Sequence, residues 1–396
     1  MPVTRVANDA TIGEALPASA ATEFSVTVDA DPGSWLTGAA SEAGLVRTPF
    51  QARTWLASWY ETIGAAKGAT PVLVTARDAA TGQVALLLPW ALSRESGLAV
   101  IGPADGGVSD YNGPIIGPSA PDDAAGANAL WRAIRSALPR ADLIRVEKMP
   151  RVIGGRTNPL ALIASVRNSP LWGHIIEFPG SFLEFLTSRG KHFRKEVQRS
   201  RRVIEREGAV TLRRVVEPDD ARSVFATLEQ QQSSRMREAG VDYRLDATEM
   251  RAFYQKVLAA GLTSGEAMLF SLEVDGTIVA AVFGVSDERS FLLLRIANAG
   301  EAWKHCSPGR LIATEIIQWL IANGRRRIDM TIGDYAFKRQ FDPMPYPLVE
   351  LVEGRSWRAL PVVARHRARD LVHRSEMLRG LVQRVRGSKA DRSPLR

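Results

Sequence analysis

The sequence predicts an α+β fold, and three observations support this prediction. Runs of β-rich residues alternate with runs whose apolar positions recur at helical spacing. Tight polar turns at residues 81–83 and 275–276 join neighbouring β-rich runs, which is typical of antiparallel hairpins. The chain of 396 residues has 45% hydrophobic and 24% charged residues, enough for two domains with separate cores.

The predicted elements of the first half follow the order strand, helix, hairpin, helix and strands. FSVTVDA alternates like a strand, and FQARTWLASWY spaces its aromatic residues like a helix. PVLVTARDA and VALLLPWAL form the hairpin, residues 102–121 a loop, and residues 124–138 a helix. LIRVEKM and WGHIIEF are two more strands, which end at the break Pro179-Gly180.

The second half repeats a similar order. Residues 181–207 and 218–237 are predicted helices around the strand AVTLRRVV, and a three-stranded meander follows. Ser307 then opens a helix that reaches Ala322, and RRIDMTI is a buried strand. We therefore divide the chain into a mobile leader (1–24), an N-terminal lobe (25–180), a C-terminal lobe (181–354) and a basic tail (355–396).

Composition excludes several classes of protein. The single cysteine, Cys306, rules out a disulfide framework and a cysteine-rich zinc cluster, and we expect no bound metal. No apolar run approaches the roughly 20 residues of a membrane span, and the N-terminus lacks the apolar core of a secretory signal. We therefore expect a cytoplasmic protein.

The positive charge is concentrated in the tail. Residues 355–396 contain twelve Lys/Arg and three acidic residues, a charge of +9, which leaves about −1 of the net +8 for residues 1–354. The tail has apolar residues at helical spacing opposite a cationic face. Docking on the catalytic body is the first expectation and peripheral contact with an anionic membrane the second; nothing in the tail favours nucleic acid.

Two motifs carry a resemblance to a known family. CSPGRLIATEIIQWLIANG opens a helix with a small residue, Pro and Gly, and IDMTIGDYAFKRQF ends a strand with Asp-x-x-x-Gly-Asp-x-x-aromatic-Lys. Both resemble the acetyltransferase-type domain of CelD-like proteins, associated with cellulose and exopolysaccharide synthesis, within the GNAT superfamily. Over residues 45–345 the resemblance implies two tandem GNAT-like lobes, each a mixed, mostly antiparallel sheet flanked by helices. It also implies direct transfer of an acyl group, such as acetyl, from acyl-CoA to the amine or hydroxyl of a small-molecule or saccharide acceptor.

The resemblance places the CoA pyrophosphate at the start of the helix that follows Ser307. Ser307 suits the cap position, Pro308 the first helical position, and Gly309 allows close approach of a phosphate. Arg310 adds positive charge, and Leu311 completes the cofactor-binding set for acetyl-CoA or another acyl-CoA. The motif has one glycine where the superfamily loop has more. An aminoacyl-tRNA donor, as in the related Fem-type peptidoglycan transferases, and a non-catalytic role in polysaccharide synthesis therefore stay open.

The second motif supplies the catalytic candidates. Acyl transfer needs a base for the acceptor's proton and a cation or N–H group for the oxyanion. Asp334 is the candidate base or acceptor-orienting group, Lys338 the candidate electrophile or phosphate contact, and Tyr335 a candidate substrate contact. The alternative is that Asp329 pairs inside the fold and Lys338 is a surface charge.

Three arginines are further candidates for binding the acceptor. Arg194 lies in a cationic helix that has a structural interpretation too, with pairs such as Arg201–Glu205. Arg235 falls at a polar helix end that faces the acceptor cleft in the family. Arg295 interrupts an apolar run and needs a partner, either a structural carboxylate or an acidic group of a ligand.

Overall fold

One large β-sheet extends through the protein. The computed structural model describes residues 23–374, and the side chains of this range as far as Arg369. The strands are β1 (Phe24–Asp29), β2 (Thr70–Asp78), β3 (Val84–Glu95), β4 (Leu98–Pro103), β5 (Ile115–Ile116), β6 (Leu143–Pro150), β7 (Val152–Ile153), β8 (Arg156–Thr157), β9 (Arg167–Glu177), β10 (Val210–Val215), β11 (Ala267–Val274), β12 (Thr277–Ser286), β13 (Ser290–Asn298), β14 (Arg327–Asp329) and β15 (Met344–Gly354).

Helices flank the sheet. They are α1 (Pro32–Thr37), α2 (Arg53–Trp59), α3 (Ala124–Ala137), α4 (Phe182–Ser188), α5 (Gly190–Ile204), α6 (Pro218–Glu238), α7 (Thr248–Ser264), α8 (Pro308–Ala322), α9 (Ala336–Arg339) and α10 (Leu360–Arg374). A π-helical turn, Tyr60–Gly64, extends α2. The predicted class, a mixed and mostly antiparallel sheet flanked by helices, is confirmed.

The order of the strands joins the two halves of the chain. From one edge to the other it is β1-β2-β3-β4-β6-β15-β9-β14-β13-β12-β11-β10, with β5 beside β3. The late strand β15 lies between β6 and β9 of the first half, antiparallel to both. β9 in turn pairs with β14 of the second half. Backbone hydrogen bonds therefore connect the halves on both sides of β15.

The same local arrangement occurs once in each half. A strand, a helix and a parallel strand follow one another as β4-α3-β6 and as β13-α8-β14. The first parallel pair ends at Ile101 and Ile144, and the second ends at Leu292 and Asp329. Beyond these residues β4 is no longer paired with β6, nor β13 with β14, among the described residues. We call each of these two places an opening of the sheet.

Two apolar layers cover the faces of the sheet. On one face α2 of the first half packs against α7 of the second, and the rings of Trp55 and Phe253 meet edge to face with their centroids 4.8 Å apart. On the other face α5 and α8 cover residues such as Phe270 and Phe291. These aromatic side chains bury large apolar areas together with the many aliphatic residues of each layer.

Several elements differ from the sequence prediction, among them the strand β15, which was not predicted. The helix predicted over residues 181–207 is two helices, because Gly190 has φ +82° and interrupts the helical backbone. The predicted strand RRIDMTI is shortened to β14, since Thr331 has φ +59° and turns the chain. Helix α7 has no counterpart among the predictions, although its apolar residues recur at helical spacing.

Residues 1–22 of the predicted leader and 375–396 of the predicted tail lie outside the described residues. The tail begins as the helix α10. Between residues 23 and 374, no helix is long and apolar enough to cross a membrane.

We expect Gly173→Ala to lower the free energy of unfolding by about 1–3 kcal/mol, since a Cβ at Gly173 would lie 2.0 Å from the Tyr111 hydroxyl. Gly309→Ala is the matched control, because a Cβ there has no atom nearer than 3.9 Å. Urea unfolding of both variants measures the difference. Equal destabilisation by the two substitutions would contradict the packing described at Gly173.

Candidate functional site

A cavity of about 640 Å³ opens at the N-terminal end of α8. Its floor and walls come from α6, from the loop that follows β13, from α8 and from α9. Four of the residues predicted from the sequence line it together: Ser307, Gly309, Arg310 and Arg235. Asn298, Gln231, Phe337 and Gln340 also line it and were not predicted. The volume is in the range of sites for small molecules.

The N-terminus of α8 has no side-chain cap. Ser307 occupies the predicted N-cap position with a left-handed backbone conformation, φ +53°, but its hydroxyl caps no helical N–H, so the expected side-chain cap does not form. The N–H groups of Arg310 and Leu311 both donate to the Ser307 carbonyl, at 3.0 and 3.2 Å. Pro308 has no N–H, and within residues 23–374 the Gly309 N–H meets no acceptor. The positive end of a 15-residue helix thus faces the cavity.

Helix α3, at the equivalent place in the first half, differs in this respect. The Asp123 carboxylate accepts hydrogen bonds from the N–H groups of Ala125 and Gly126, at 2.8 and 2.9 Å. The protein's own anion therefore occupies the N-terminus of α3. The N-terminus of α8 is left available for an anion from elsewhere.

Gly309 leaves room that the protein does not use. A Cβ at this position would be 3.9 Å from Ile296 and Phe337 and 4.0 Å from Asn298, which is ordinary contact. Neither backbone strain nor crowding therefore requires glycine here. The missing side chain widens the cavity beside the unpaired N–H.

The two arginines of the cavity are held differently. Arg310 is largely buried, and its guanidinium donates to Glu196 at 3.1 Å and to Gln340 at 2.8 Å. Arg235 is exposed at the C-terminal end of α6, and among the described residues it has no carboxylate within 4 Å. Arg235 is thus the arginine of this cavity whose charge is free to meet a ligand.

Lys338 lies beside the opening between β13 and β14. Its side chain is buried, and its Nζ donates to the carbonyls of Thr331 and Ile332, at 3.2 and 2.6 Å. Burial lowers the pKa of Lys338 to about 8, and the charges of Asp110, Asp329 and Asp334 oppose this shift. The alternative that Lys338 is a surface charge is wrong.

A buried acidic group from each half lies near Lys338. Asp329 accepts hydrogen bonds from the Tyr111 hydroxyl at 2.8 Å and from the Thr331 N–H at 2.7 Å. Burial raises the pKa of Asp329 to about 6, against the effect of these hydrogen bonds. Burial likewise raises the pKa of Asp110, which lies in the loop after β4. Both Asp110 and Tyr111 belong to a segment that the sequence indicated only as a polar loop.

Lys338, Asp334, Tyr335 and Leu311 do not line the cavity. Asp334 is exposed and pairs with Arg339 at 2.9 Å. Tyr335 is 65% exposed, and its ring lies 5.3 Å from the Lys338 Nζ. Leu311 is buried in the apolar layer under α8.

Arg295 and Arg194 also lie outside the lining of the cavity. Arg295 is buried, and its guanidinium donates to Gln232 at 2.8 Å and to Glu229 at 3.4 Å. The partner it required is thus a carboxylate of the protein. Arg194 is half-buried on α5, and its Nε has no hydrogen-bond partner among the described residues. On the same helix the expected Arg201–Glu205 pair forms, at 2.6 Å.

Within the described part of the chain, no group of three or more His, Cys, Asp or Glu side chains is arranged to hold a metal ion. Cys306 is buried, and its Sγ lies 3.3 Å from His305.

Most residues that line this cavity lie in a segment that resembles a known family. Residues 191–339 match the family model of the acetyltransferase (GNAT) domain. This segment includes α5, α6, α8 and the catalytic candidates. No curated protein matches the sequence significantly.

Solved structures with similar folds cover most of the chain. The structure of FemX matches with a TM-score of 0.56 at 12% identity, over 83% of this chain and 97% of FemX. A conserved protein of unknown function from Bacteroides thetaiotaomicron matches with a TM-score of 0.50 at 13% identity, over 83% and 99%. A tandem GNAT protein of clavulanic acid biosynthesis has a TM-score of 0.43 at 13% identity, over 84% and 99%. At these identities FemX and the Bacteroides protein share the fold, and the reaction must be argued from the site.

We expect the pH dependence of stability to differ between wild type and Asp329→Asn. Because the folded pKa of Asp329 is raised to about 6 from 3.8, its contribution to stability is present below pH 3.8 and is lost as the pH rises through 6. The free energy of unfolding of wild type should therefore fall relative to the variant, by roughly 3 kcal/mol between about pH 4 and 7. Urea unfolding across this range measures the change, and the surface substitution Asp334→Asn is the control. A constant difference between wild type and Asp329→Asn would contradict the raised pKa.

Proposed function

We propose that the protein is a GNAT-type acyltransferase that moves an acyl group from acyl-CoA to the amine or hydroxyl of an acceptor. Acetyl is the first candidate for this acyl group. The observation that carries this proposal is the uncapped N-terminus of α8 at a cavity of about 640 Å³. The match of residues 191–339 to the GNAT domain model supports it.

The residues present suit the pyrophosphate of CoA. The Gly309 N–H and the positive end of α8 would meet its oxygens, Gly309 would let them come close, and Arg235 would add positive charge. Ser307 and Leu311 contribute through the backbone of the first turn, and Arg310 fixes that turn through Glu196. When bound, the CoA thioester supplies the acyl group.

Lys338 is the catalytic residue that we favour. A buried ammonium beside the strand opening is suited to stabilise negative charge, because the surroundings screen it weakly. Asp334 remains the proposed acceptor-orienting group, but its exposure and its pairing with Arg339 give it less support. The negative charges of Asp110 and Asp329 favour the protonated form of Lys338.

The acceptor is proposed to be a small molecule or a saccharide, as the CelD-like resemblance implies for exopolysaccharide or envelope synthesis. Tyr335, which is exposed, is the better-placed contact for it, since Arg235 is assigned to the pyrophosphate. Arg194 and Arg295 are weaker candidates, since Arg295 is satisfied by Glu229 and Gln232. A cytoplasmic location, with peripheral membrane contact through residues 355–396, is part of the same proposal.

A Fem-like transferase that takes its acyl group from aminoacyl-tRNA is the second candidate. The observation that favours it is a row of exposed cations on α5, namely Lys191, Lys195 and Arg202. This helix packs beside the start of α8, where Glu196 pairs with Arg310. Such a row is suited to a phosphate backbone. The likeness to FemX covers nearly all of that chain but concerns the fold.

We expect CoA to raise the melting temperature of the full chain saturably, since a ligand at a hundred times its Kd stabilises a protein by about 2.7 kcal/mol. Gly309→Glu should abolish the shift by placing a carboxylate at the anion site. Arg132→Ala, an exposed substitution on α3, is the matched control and should keep the shift. Absence of a shift with every CoA tested, together with stabilisation by tRNA, would favour the Fem-like candidate instead.

We expect Lys338→Met to lower kcat by about 100-fold, which is typical for loss of one group that stabilises transition-state charge. Because the pKa of Lys338 is lowered to about 8, wild-type kcat should also decrease as the pH rises past 8 and the ammonium is lost. Initial rates of acyl transfer between pH 6 and about pH 9.5 measure both effects. A flat profile above pH 8, or an unchanged kcat in the variant, would exclude the electrophilic role.

A further inference from the structure

A second cavity, of about 630 Å³, lies in the first half of the chain. It opens where β4 and β6 separate after Ile101 and Ile144, the counterpart of the opening between β13 and β14. Its lining shares no residue with the cavity at α8. The function proposed above assigns no role to it.

Trp59 contributes an unused hydrogen-bond donor to this cavity. Its side chain is only 3% exposed, and its indole Nε1 has no partner among the described residues. An indole nitrogen can only donate, and a buried donor without an acceptor is costly. An acceptor that comes with a ligand would remove that cost.

Lys67 lies beside the same indole. The Trp59 Nε1 is 3.1 Å, and the Lys67 Nζ 3.6 Å, from the point where a Cβ on Gly106 would sit. Lys67 is exposed, and the described residues place no carboxylate within 4 Å of it. A neutral donor and a free cation therefore occupy neighbouring positions on the cavity wall.

The charges that line the cavity are mostly positive. Arg145 pairs with Glu95, and Lys148 pairs with Asp105 at 2.6 Å, so these charges cancel. The remaining lining charges are three cations and one carboxylate: Lys67, Arg94, Arg244 and Glu147. The residual field favours an anion.

The loop of Gly106 and Gly107 packs closely against Ile63 and the Trp59 indole. Gly106 and Gly107 have φ +55° and +87°, and a Cβ at Gly106 would be 2.7 Å from Ile63. Asp105 holds the loop by accepting from the N–H groups of Gly107 and Ser109, both at 2.9 Å. Arg244, from the second half, donates to the Gly106 carbonyl. Both halves of the chain thus shape the site.

We propose that this cavity binds a small molecule that carries a phosphate group, which accepts a hydrogen bond from Trp59 and pairs with Lys67 and Arg94. A phosphate offers more oxygens and more charge than a carboxylate, and it matches separate donors on several sides of a cavity. The inference is independent of the acyl donor at α8.

Isothermal titration of the full chain with pyrophosphate, with inorganic phosphate and with acetate at equal ionic strength tests the proposal. We expect saturable binding of pyrophosphate, weaker binding of phosphate and none of acetate. Lys67→Ala and Trp59→Phe should each weaken pyrophosphate binding about tenfold, as for loss of one hydrogen bond to a charged group. Arg132→Ala, which removes an exposed arginine elsewhere, should leave the binding unchanged.

Gly309→Glu separates this site from the one at α8. If pyrophosphate binding survives Gly309→Glu and weakens in Lys67→Ala, the proposal holds even when CoA does not bind at all. If binding is lost in Gly309→Glu and kept in Lys67→Ala, the phosphate belongs to α8 and the proposal is wrong. Absence of saturable pyrophosphate binding, or equal weakening by Arg132→Ala, would overturn it as well.

Discussion

The hydrogen bonds of β15 are the constraint on which the rest of the structure depends. This strand, the last of those described, pairs with β6 on one side and β9 on the other, and β9 pairs with β14. The two halves therefore share one sheet, and residues from both meet at its centre. The Tyr111–Asp329 hydrogen bond, between residues 218 positions apart, exists because this pairing brings the loop after β4 against the end of β14.

The two halves use the same supersecondary unit for different purposes. Each has parallel strands that separate beside a crossover helix, but α3 is capped by Asp123 and α8 is not capped. One capping carboxylate thus distinguishes the two helix ends, since Asp123 accepts from the N–H groups of Ala125 and Gly126 and places negative charge where an external anion would bind. The first half retains its opening, lined instead by cationic side chains and by Trp59.

Local patterns in the sequence were enough to predict the class of fold and the start of α8. The Pro308-Gly309 pair and the apolar spacing after it identify a helix opening from neighbouring residues alone. Partners distant in sequence were beyond such reasoning: the carboxylate for Arg295 is on α6, and the partner of Arg310 is on α5. The side-chain cap expected at Ser307 does not form for a local reason: after the 3₁₀ turn Glu301–Cys306 the Ser307 backbone lies in the left-handed region.

We propose that the free end of α8 holds the pyrophosphate of an acyl donor. Isothermal titration with CoA, with dephospho-CoA, which keeps the pyrophosphate but lacks the 3′-phosphate, and with pantetheine, which has neither, tests this proposal. We expect saturable binding of CoA and binding of pantetheine at least about 100-fold weaker, because charge-assisted hydrogen bonds to the phosphates supply most of the affinity. Equal affinities for CoA and pantetheine, or no binding of CoA at all, would contradict it.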